Sequence, residues 1–234
     1  TIKRLSGLVA YYPLNEVEGS VARNYAPANL NSLNGTITGA TLAQSGQVGR
    51  AYSFDGVNDY VSVAENSLLR LGGADFTLCC LVYIGTNGFG TTDGTNPYLI
   101  SKEYYEQGGY TIKATQNAAD GSDGRFLFLI KTVLSPDASI NVTSTKIDYP
   151  HQAWYFVVAR NNHGVSIEIF VNGVKTTTVD TTQMVQNTQS AFQLGTEASG
   201  DSHNLIGKMQ HGAVFNRALT DNEITKLARI TGLA

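Results

Sequence analysis

The stretch "SIEIFVNGVKTTTV", residues 166–179, places a two-residue turn between two segments that favour extended structure. Ile167, Ile169 and Val171 recur at every second position, which is the period of a strand that buries one face. The Asn-Gly pair at 172–173 favours a type I′ turn, whose twist suits two antiparallel strands. The stretch therefore predicts a β-hairpin.

Similar short segments recur along the chain, each bounded by Gly, Asn, Asp or Pro. These patterns predict further strands at "GLVAYYPL", "AYSF", "DYVSV", "FTLCCLVYI", "YLIS", "GYTIKAT", "RFLFLI", "WYFVVAR", "FQLG" and "GAVFN". About a dozen short strands without a break in composition indicate an all-β fold, a two-sheet antiparallel β-sandwich. We expect a single domain over residues 1–234.

One segment near the C-terminus, "LTDNEITKLARI", has helical character. Thr220 and Glu223 have the spacing of a capping box, in which each side chain satisfies a backbone N–H at the start of a helix. Ile224 and Leu227 then fall on one helical face. We predict one short C-terminal helix over residues 220–230.

The composition argues against several classes of protein. The chain has 234 residues, of which 42% are apolar and 15% charged, and its net charge is −3. Such a chain can bury a substantial core and is not expected to be disordered. No basic stretch could neutralise nucleic-acid phosphates, and the apolar runs are too short to span a bilayer. We expect neither a nucleic-acid partner nor membrane insertion.

The only two cysteines, Cys79 and Cys80, are adjacent. Neighbours in a strand point to opposite faces, so a disulfide between them would be strained. We predict buried free thiols in a core strand.

The order of several segments adds a resemblance. "GLVAYYPLNEVEGS" opens the chain, "GQVGRAYSFDGVNDYVSV" and "DFTLCCLVYI" follow, and "AWYFVVARNNHGVSIEIFVNGV", "FQLGTE" and "GKMQHGAVFNRALTDNEITKLA" come later. This order resembles the laminin G-like, concanavalin A-like jelly-roll family (the lectin/glucanase superfamily) over nearly the whole chain. The resemblance implies a jelly-roll sandwich of the kind found in carbohydrate-binding modules, lectins, adhesion domains and virion or cell-surface appendages. Fold alone does not decide ligand or chemistry.

The segment "FDGVNDYV", residues 54–61, joins two of the predicted strands. Its Asp, Asn and Gly residues are good turn formers, because their side chains can bond to nearby backbone. Asp55, Asn58 and Asp59 also offer oxygen ligands for calcium, although the segment lacks the order of a calcium-binding helix-loop-helix motif. We favour the turn and keep metal binding as the alternative.

Two further loops, "SKEYYEQGGY" and "LGTEASGDSHNLIG", contain several acidic residues. They are similar in position to the loops that bind calcium in the pentraxin branch of the fold. The likeness implies calcium ligation by Glu106, Gln107, Glu197 and Asp201. His203 stands where an oxygen ligand is expected, and a hard cation prefers oxygen. Solvated polar loops are therefore the alternative interpretation.

The first of these loops also carries aromatic residues. Sugar rings have apolar faces that stack on aromatic side chains, while their hydroxyl groups need polar partners. Tyr98 and Tyr110 also fit strands, so packing in the core is the alternative for both. Trp154 resembles a core position of the family. We predict ligand binding by Lys102, Glu103, Tyr104, Tyr105 and Tyr110, with Tyr98 as a further candidate.

Signatures of catalysis are lacking. The sequence has no nucleophile elbow, no zinc-protease motif, no phosphate-binding loop and no E-x-D-x-x-E run, and its four histidines have no zinc spacing. We therefore favour a non-catalytic carbohydrate-binding or adhesion module of a larger extracellular, cell-surface or virion protein. A structural domain of a phage or virion appendage, in contact with other domains of an assembly, is one alternative. A glycoside hydrolase with unidentified acids is the other.

Overall fold

A computed structural model describes residues 2–30, 32–90, 96–103, 108–116, 124–132, 138–145, 149–198 and 203–234. Within these residues the chain forms sixteen strands and one α-helix. The strands are β1 Leu8–Tyr12, β2 Val21–Ala22, β3 Gly35–Thr38, β4 Thr41–Ser45, β5 Arg50–Asp55, β6 Tyr60–Val63, β7 Phe76–Ile84, β8 Tyr98–Ser101, β9 Gly109–Gln116, β10 Gly124–Lys131, β11 Ser139–Thr143, β12 Ala153–Asn162, β13 Ser166–Val171, β14 Val174–Asp180, β15 Phe192–Leu194 and β16 Ile206–Phe215; the helix is α1 Asp221–Ile230.

The strands form two antiparallel sheets of eight strands each. The first sheet has the order β14-β13-β12-β7-β16-β5-β4, and β1 pairs with β16 as well. The second sheet has the order β11-β10-β9-β8-β15-β6-β3-β2. The predicted all-β sandwich is confirmed.

The hairpin of β13 and β14 has the predicted turn. Asn172 and Gly173 have φ values of 53° and 81°, as a type I′ turn requires. The burial of β13 nevertheless differs from simple alternation, because all six of its residues are buried. Phe170 packs beneath α1, and Glu168 is held there by ion pairs with Arg160 and Lys175.

The helix α1 begins with the predicted capping box. The Thr220 hydroxyl accepts a hydrogen bond from the Glu223 amide at 3.2 Å, and the Glu223 carboxylate accepts one from the Thr220 amide at 2.8 Å. Ile224 and Leu227 pack on the outer face of the first sheet and form a second, smaller core there. Within the described residues, no helix has both the length and the apolar character needed to cross a membrane.

The main core lies between the sheets. Neighbouring side chains of β7 point to opposite faces of the first sheet, so they alternate between the main core and the smaller core. Cys80 belongs to the main core and Cys79 to the smaller one. Both are buried free thiols, as predicted.

The core prediction for Trp154 is correct only in part. Trp154 packs against the smaller core but is half-buried, with part of its ring in solvent. Phe156, two residues further along the same face of β12, is fully buried and lies next to Leu227 of α1. Trp154 lies outside the part of the sheet that α1 covers, so its side chain is only half-buried.

Candidate functional site

The segment 55–59 is a turn built by its own carboxylates. Asp55 accepts a hydrogen bond from the Val57 amide at 2.8 Å, and Asp59 accepts one from the Asp55 amide at 2.9 Å. Burial raises the pKa of Asp59 above its usual range. Gly56 has a φ of +84°, and a Cβ at this position would lie 2.3 Å from the Ile206 side chain. The turn interpretation is confirmed, and the turn packs closely on the start of β16.

This turn forms one wall of a cavity of about 220 Å³, which we call the rim cavity. β5 and β7 end here and the antiparallel β16 begins here, so the cavity lies at one end of the sandwich. The residues that line it are Gly56, Asn87, Gly90, Pro97, His203, Asn204 and Ile206.

The lining of the rim cavity is part apolar and part polar. Pro97 and the partly exposed Ile206 supply apolar surface. The Asn204 side chain donates a hydrogen bond to the Val57 carbonyl at 2.7 Å, while its buried Oδ1 has no hydrogen-bond partner among the described residues. A buried acceptor of this kind calls for a partner.

His203 connects the cavity to a group of charged residues. Its Nδ1 lies 3.3 Å from Glu197 Oε2, and its ring meets the edge of Tyr98 with 5.6 Å between centroids. The backbone holds this contact in place, because the Tyr98 amide donates to the His203 carbonyl at 2.9 Å. His203 itself has a φ of 58°, a conformation that few residues other than glycine adopt.

The charged residues continue over the outer face of the second sheet. Lys113 donates to the Tyr98 hydroxyl and lies 3.8 Å from Glu103, while Lys131 lies 3.7 Å from the other oxygen of Glu103. Burial lowers the pKa of Lys113, against the opposing effect of Glu103. Glu103 Oε2 makes no hydrogen bond within the described part of the chain. We call this set the rim cluster: Tyr98, Glu103, Lys113, Lys131, Glu197 and His203.

Two predicted ligand-binding residues face inward, so their assignments are wrong. Tyr110 is 1% exposed, its ring packs on Phe76 with 5.1 Å between centroids, and its hydroxyl donates to the Leu69 carbonyl. Lys102 is also 1% exposed. Its ammonium donates to the Ser190 carbonyl and lies 3.7 Å from a Glu65 oxygen. A sugar could reach neither side chain.

The other predicted site residues divide into two groups. Glu103 and Glu197 lie in the rim cluster, so the fold brings residues of the two acidic loops to one side of the sandwich. Five predicted residues lie outside the described residues: Tyr104, Tyr105, Glu106, Gln107 and Asp201.

Sequence reasoning missed Lys113, Lys131 and Asn204. The two lysines interrupt apolar strands at positions that face outward, since Ile112 and Ile130 beside them belong to the main core. An outward lysine between buried residues was a usable signal for this face of the sheet. Asn204 carried no such signal, because its role depends on the distant Val57.

The predicted calcium site can be compared with the residues that the structure describes. They contain no group of three or more His, Cys, Asp or Glu residues placed to hold an ion. Of the four predicted calcium ligands only Glu197 is described, and its carboxylate contacts His203. Calcium ligation by these loops therefore stays a prediction, with Glu197 as its one described member.

A second cavity, of about 230 Å³, lies beneath α1 and is mostly apolar. Tyr11 and His211 line it, and the Tyr11 hydroxyl lies 2.7 Å from His211 Nδ1. Burial lowers the pKa of His211, which favours the neutral ring. Because these two polar groups satisfy each other, this cavity suits a polar ligand less well than the rim cavity does.

Comparison with known proteins identifies the family. The model of the concanavalin A-like lectin/glucanases superfamily matches residues 55–225. The chain belongs to this superfamily, and the laminin G-like resemblance is confirmed. None of the curated proteins compared with the chain matches it.

Solved structures with a similar fold include binding domains of toxins. The binding domain of Paraclostridial Mosquitocidal Protein 1 has a TM-score of 0.75 and 15% identity, over 97% of this chain and 52% of that one. The receptor binding domain of botulinum neurotoxin mosaic serotype C/D has a TM-score of 0.69 and 12% identity, over 98% and 51%. The botulinum neurotoxin serotype G binding domain has a TM-score of 0.66 and 12% identity, over 95% of this chain and 51% of that one. The chain thus spans about half the length of these domains, and the likeness concerns the fold.

Proposed function

We propose that the chain is a non-catalytic module that recognises a glycan or polysaccharide through the rim cavity. It would act as part of a larger extracellular, cell-surface or virion protein. The proposal concerns one ligand class and one location on the sandwich.

The observation that carries the proposal is the lining of the rim cavity. A sugar ring presents an apolar face and a set of hydroxyl groups, and Ile206 and Pro97 offer apolar surface next to polar side chains. Asn204 and His203, both half-buried, add polar side chains to this lining. Ligand sites commonly combine such an apolar lining with a few convergent polar groups.

The carboxylates near the cavity favour binding over hydrolysis. Glycoside hydrolysis needs two carboxylic groups that face each other across the scissile bond. Glu103 is flanked by Lys113 and Lys131, and Glu197 contacts His203. Each of these two described carboxylates is thus engaged by a basic side chain.

The similar structures support a binding role without indicating which ligand this chain binds. Both the mosquitocidal and the botulinum structures are named as binding or receptor binding domains. A binding module is the role that we carry over to this chain, and an extracellular or surface location follows as part of the proposal.

A glycan array tests the proposal. We expect the folded protein to retain a limited set of glycans, and we expect His203→Asn to weaken that retention. Asparagine tolerates the positive φ of this position, so the substitution removes the imidazole while it preserves the backbone. His163→Asn is the matched control, because His163 lies in the turn after β12, away from the cavity-lining residues.

Two other results are informative. Incubation with polysaccharides should release no reducing sugar, and such release would favour the hydrolase. A folded protein that retains no glycan at all would contradict the proposal and leave the structural role in an assembly.

A further inference from the structure

A row of outward side chains crosses the first sheet near the rim cavity. Tyr83 on β7 lies directly opposite Trp154 on β12, and on its other side opposite Lys208 on β16. Lys208 in turn lies opposite Ser53, which lies opposite Thr41. Directly opposed residues share a face, and adjacent strands are about 4.8 Å apart, so the row is about 19 Å long. We call it the aromatic row: Trp154, Tyr83, Lys208, Ser53 and Thr41.

The aromatic row is accessible from solvent. Its flanking residues Val82 and Ile84 point into the main core, which places the row on the outer face. Phe156 and Leu81 occupy the neighbouring row on the side of α1, and both are fully buried. The region that α1 covers therefore ends at that row. Tyr83, like Trp154, is half-buried and keeps part of its ring in solvent.

The two rings form a bent platform. Their centroids are 5.6 Å apart and their planes meet at 56°. The Lys208 ammonium lies 5.8 Å from the centre of the Tyr83 ring and donates to the carbonyl of Ser45, which lies beside the row on β4, at 3.2 Å. The row therefore passes from stacking surface to an ammonium and two hydroxyl groups, of which the Ser53 hydroxyl also donates to the Gly207 carbonyl at 3.4 Å.

This order of chemistry fits an extended saccharide better than a protein surface. Consecutive sugar rings can stack on the two aromatic faces, while the ammonium and the hydroxyls of Ser53 and Thr41 meet hydroxyl groups further along. A protein partner would more typically cover a broad apolar patch. The aromatic row contains no exposed large aliphatic residue and is only one residue wide.

The row also adjoins the rim cavity. Ile206 is two residues from Lys208 on β16, so both side chains lie on the outer face, and Ile206 lines the cavity. We infer that the aromatic row is a second binding surface, which takes the continuing units of a linear oligosaccharide that enters the rim cavity. This inference rests on the proposed function for the class of ligand.

Trp154 is the only tryptophan, so its fluorescence reports on this surface directly. The probes are single sugars and their linear oligomers of glucose, mannose and N-acetylglucosamine, with binding measured in parallel by calorimetry. We expect at least one oligomer to change the tryptophan emission, with affinity that rises with chain length. Tyr83→Ala should weaken this oligomer by about tenfold and leave the single sugar unaffected.

Tyr25→Ala is the matched control, since Tyr25 is a half-buried tyrosine of the smaller core outside the row. One result would overturn the inference and leave the proposed function intact. In it, an oligomer binds by calorimetry without a change in tryptophan emission, and the Tyr83→Ala and Trp154→Phe variants bind it as tightly as the wild type does. If no probe binds by either method, the inference is contradicted for these sugars, and the glycan array decides separately on the proposed function.

Discussion

The Asp55 carboxylate accepts a hydrogen bond from the Val57 amide at 2.8 Å, and this bond shapes the turn that forms a wall of the rim cavity. The turn contains a second carboxylate, Asp59, which bonds to the Asp55 amide. Asp55 and Asp59, which the sequence offered as metal ligands, thus accept hydrogen bonds from backbone amides of the turn.

Asp55→Ala removes this bond. We expect the free energy of unfolding to fall by about 1–2 kcal/mol, because the Val57 amide loses its partner. Asn58→Ala, in the same exposed turn, should change it by less than about 0.5 kcal/mol. Denaturant unfolding measures both values. Equal stability of the two variants would show that the carboxylate is not needed for the turn.

Glu168 gives the stability of the sandwich a specific dependence on pH. Burial alone would raise its pKa, but hydrogen bonds from Arg160 and Lys175 lower it to about 2. The stabilisation is complete above the ordinary pKa of 4.5 and is lost as pH falls towards 2. We expect the free energy of unfolding to decline across this window.

Glu168→Gln removes the titrating group. The variant should be less stable at neutral pH and show a shallower decline between pH 4.5 and 2 than the wild type. Denaturant unfolding at several pH values gives the comparison. Parallel pH profiles for the two proteins would mean that other groups cause the acid sensitivity.

Calcium binding by the two acidic loops stays a proposal. A ligand that binds only the folded state stabilises it, so calcium should raise the melting temperature and a chelator should reverse the change. Glu197→Gln should abolish the response, whereas Glu18→Gln, in an exposed loop, should preserve it. Identical melting temperatures with calcium and with chelator would leave only solvated loops.

Stacking by Tyr104 and Tyr105 likewise stays a prediction. We expect Tyr104→Ala and Tyr105→Ala each to weaken retention on the glycan array, because each removes an aromatic face. Tyr110→Phe is the internal comparison, since Tyr110 is buried and its loss of a hydroxyl should alter stability and not binding. Unchanged retention by both alanine variants would remove this loop from the binding surface.

Much of the fold could be predicted because its signals are local. The Asn-Gly pair at 172–173 and the capping box of Thr220 and Glu223 act within a few residues, and both occur as expected. Burial depends on distant elements and was harder to predict. Simple alternation along β13 would place Glu168 on the exposed face, but α1 and the ion pairs with Arg160 and Lys175 bury it.

The site was less predictable for the same physical reason. The rim cavity joins Gly56, Asn87 and His203, which lie far apart in the sequence and meet only where β5 and β7 end and β16 begins. Lys102 and Tyr110 had the right residue types for a ligand, but Tyr110 lies on the core face of β9 and Lys102 is buried directly after β8. Residue type alone could not distinguish Glu103, which faces outward, from Lys102 beside it.

A crystal structure of the protein with a glycan selected by the array tests the central claim most directly. We expect one sugar unit in the rim cavity, with a hydroxyl in contact with the His203 side chain and with the apolar face of the ring against Ile206. Glycan density at another surface with the rim cavity unoccupied, or no glycan density at a concentration that saturates binding in solution, would contradict the account.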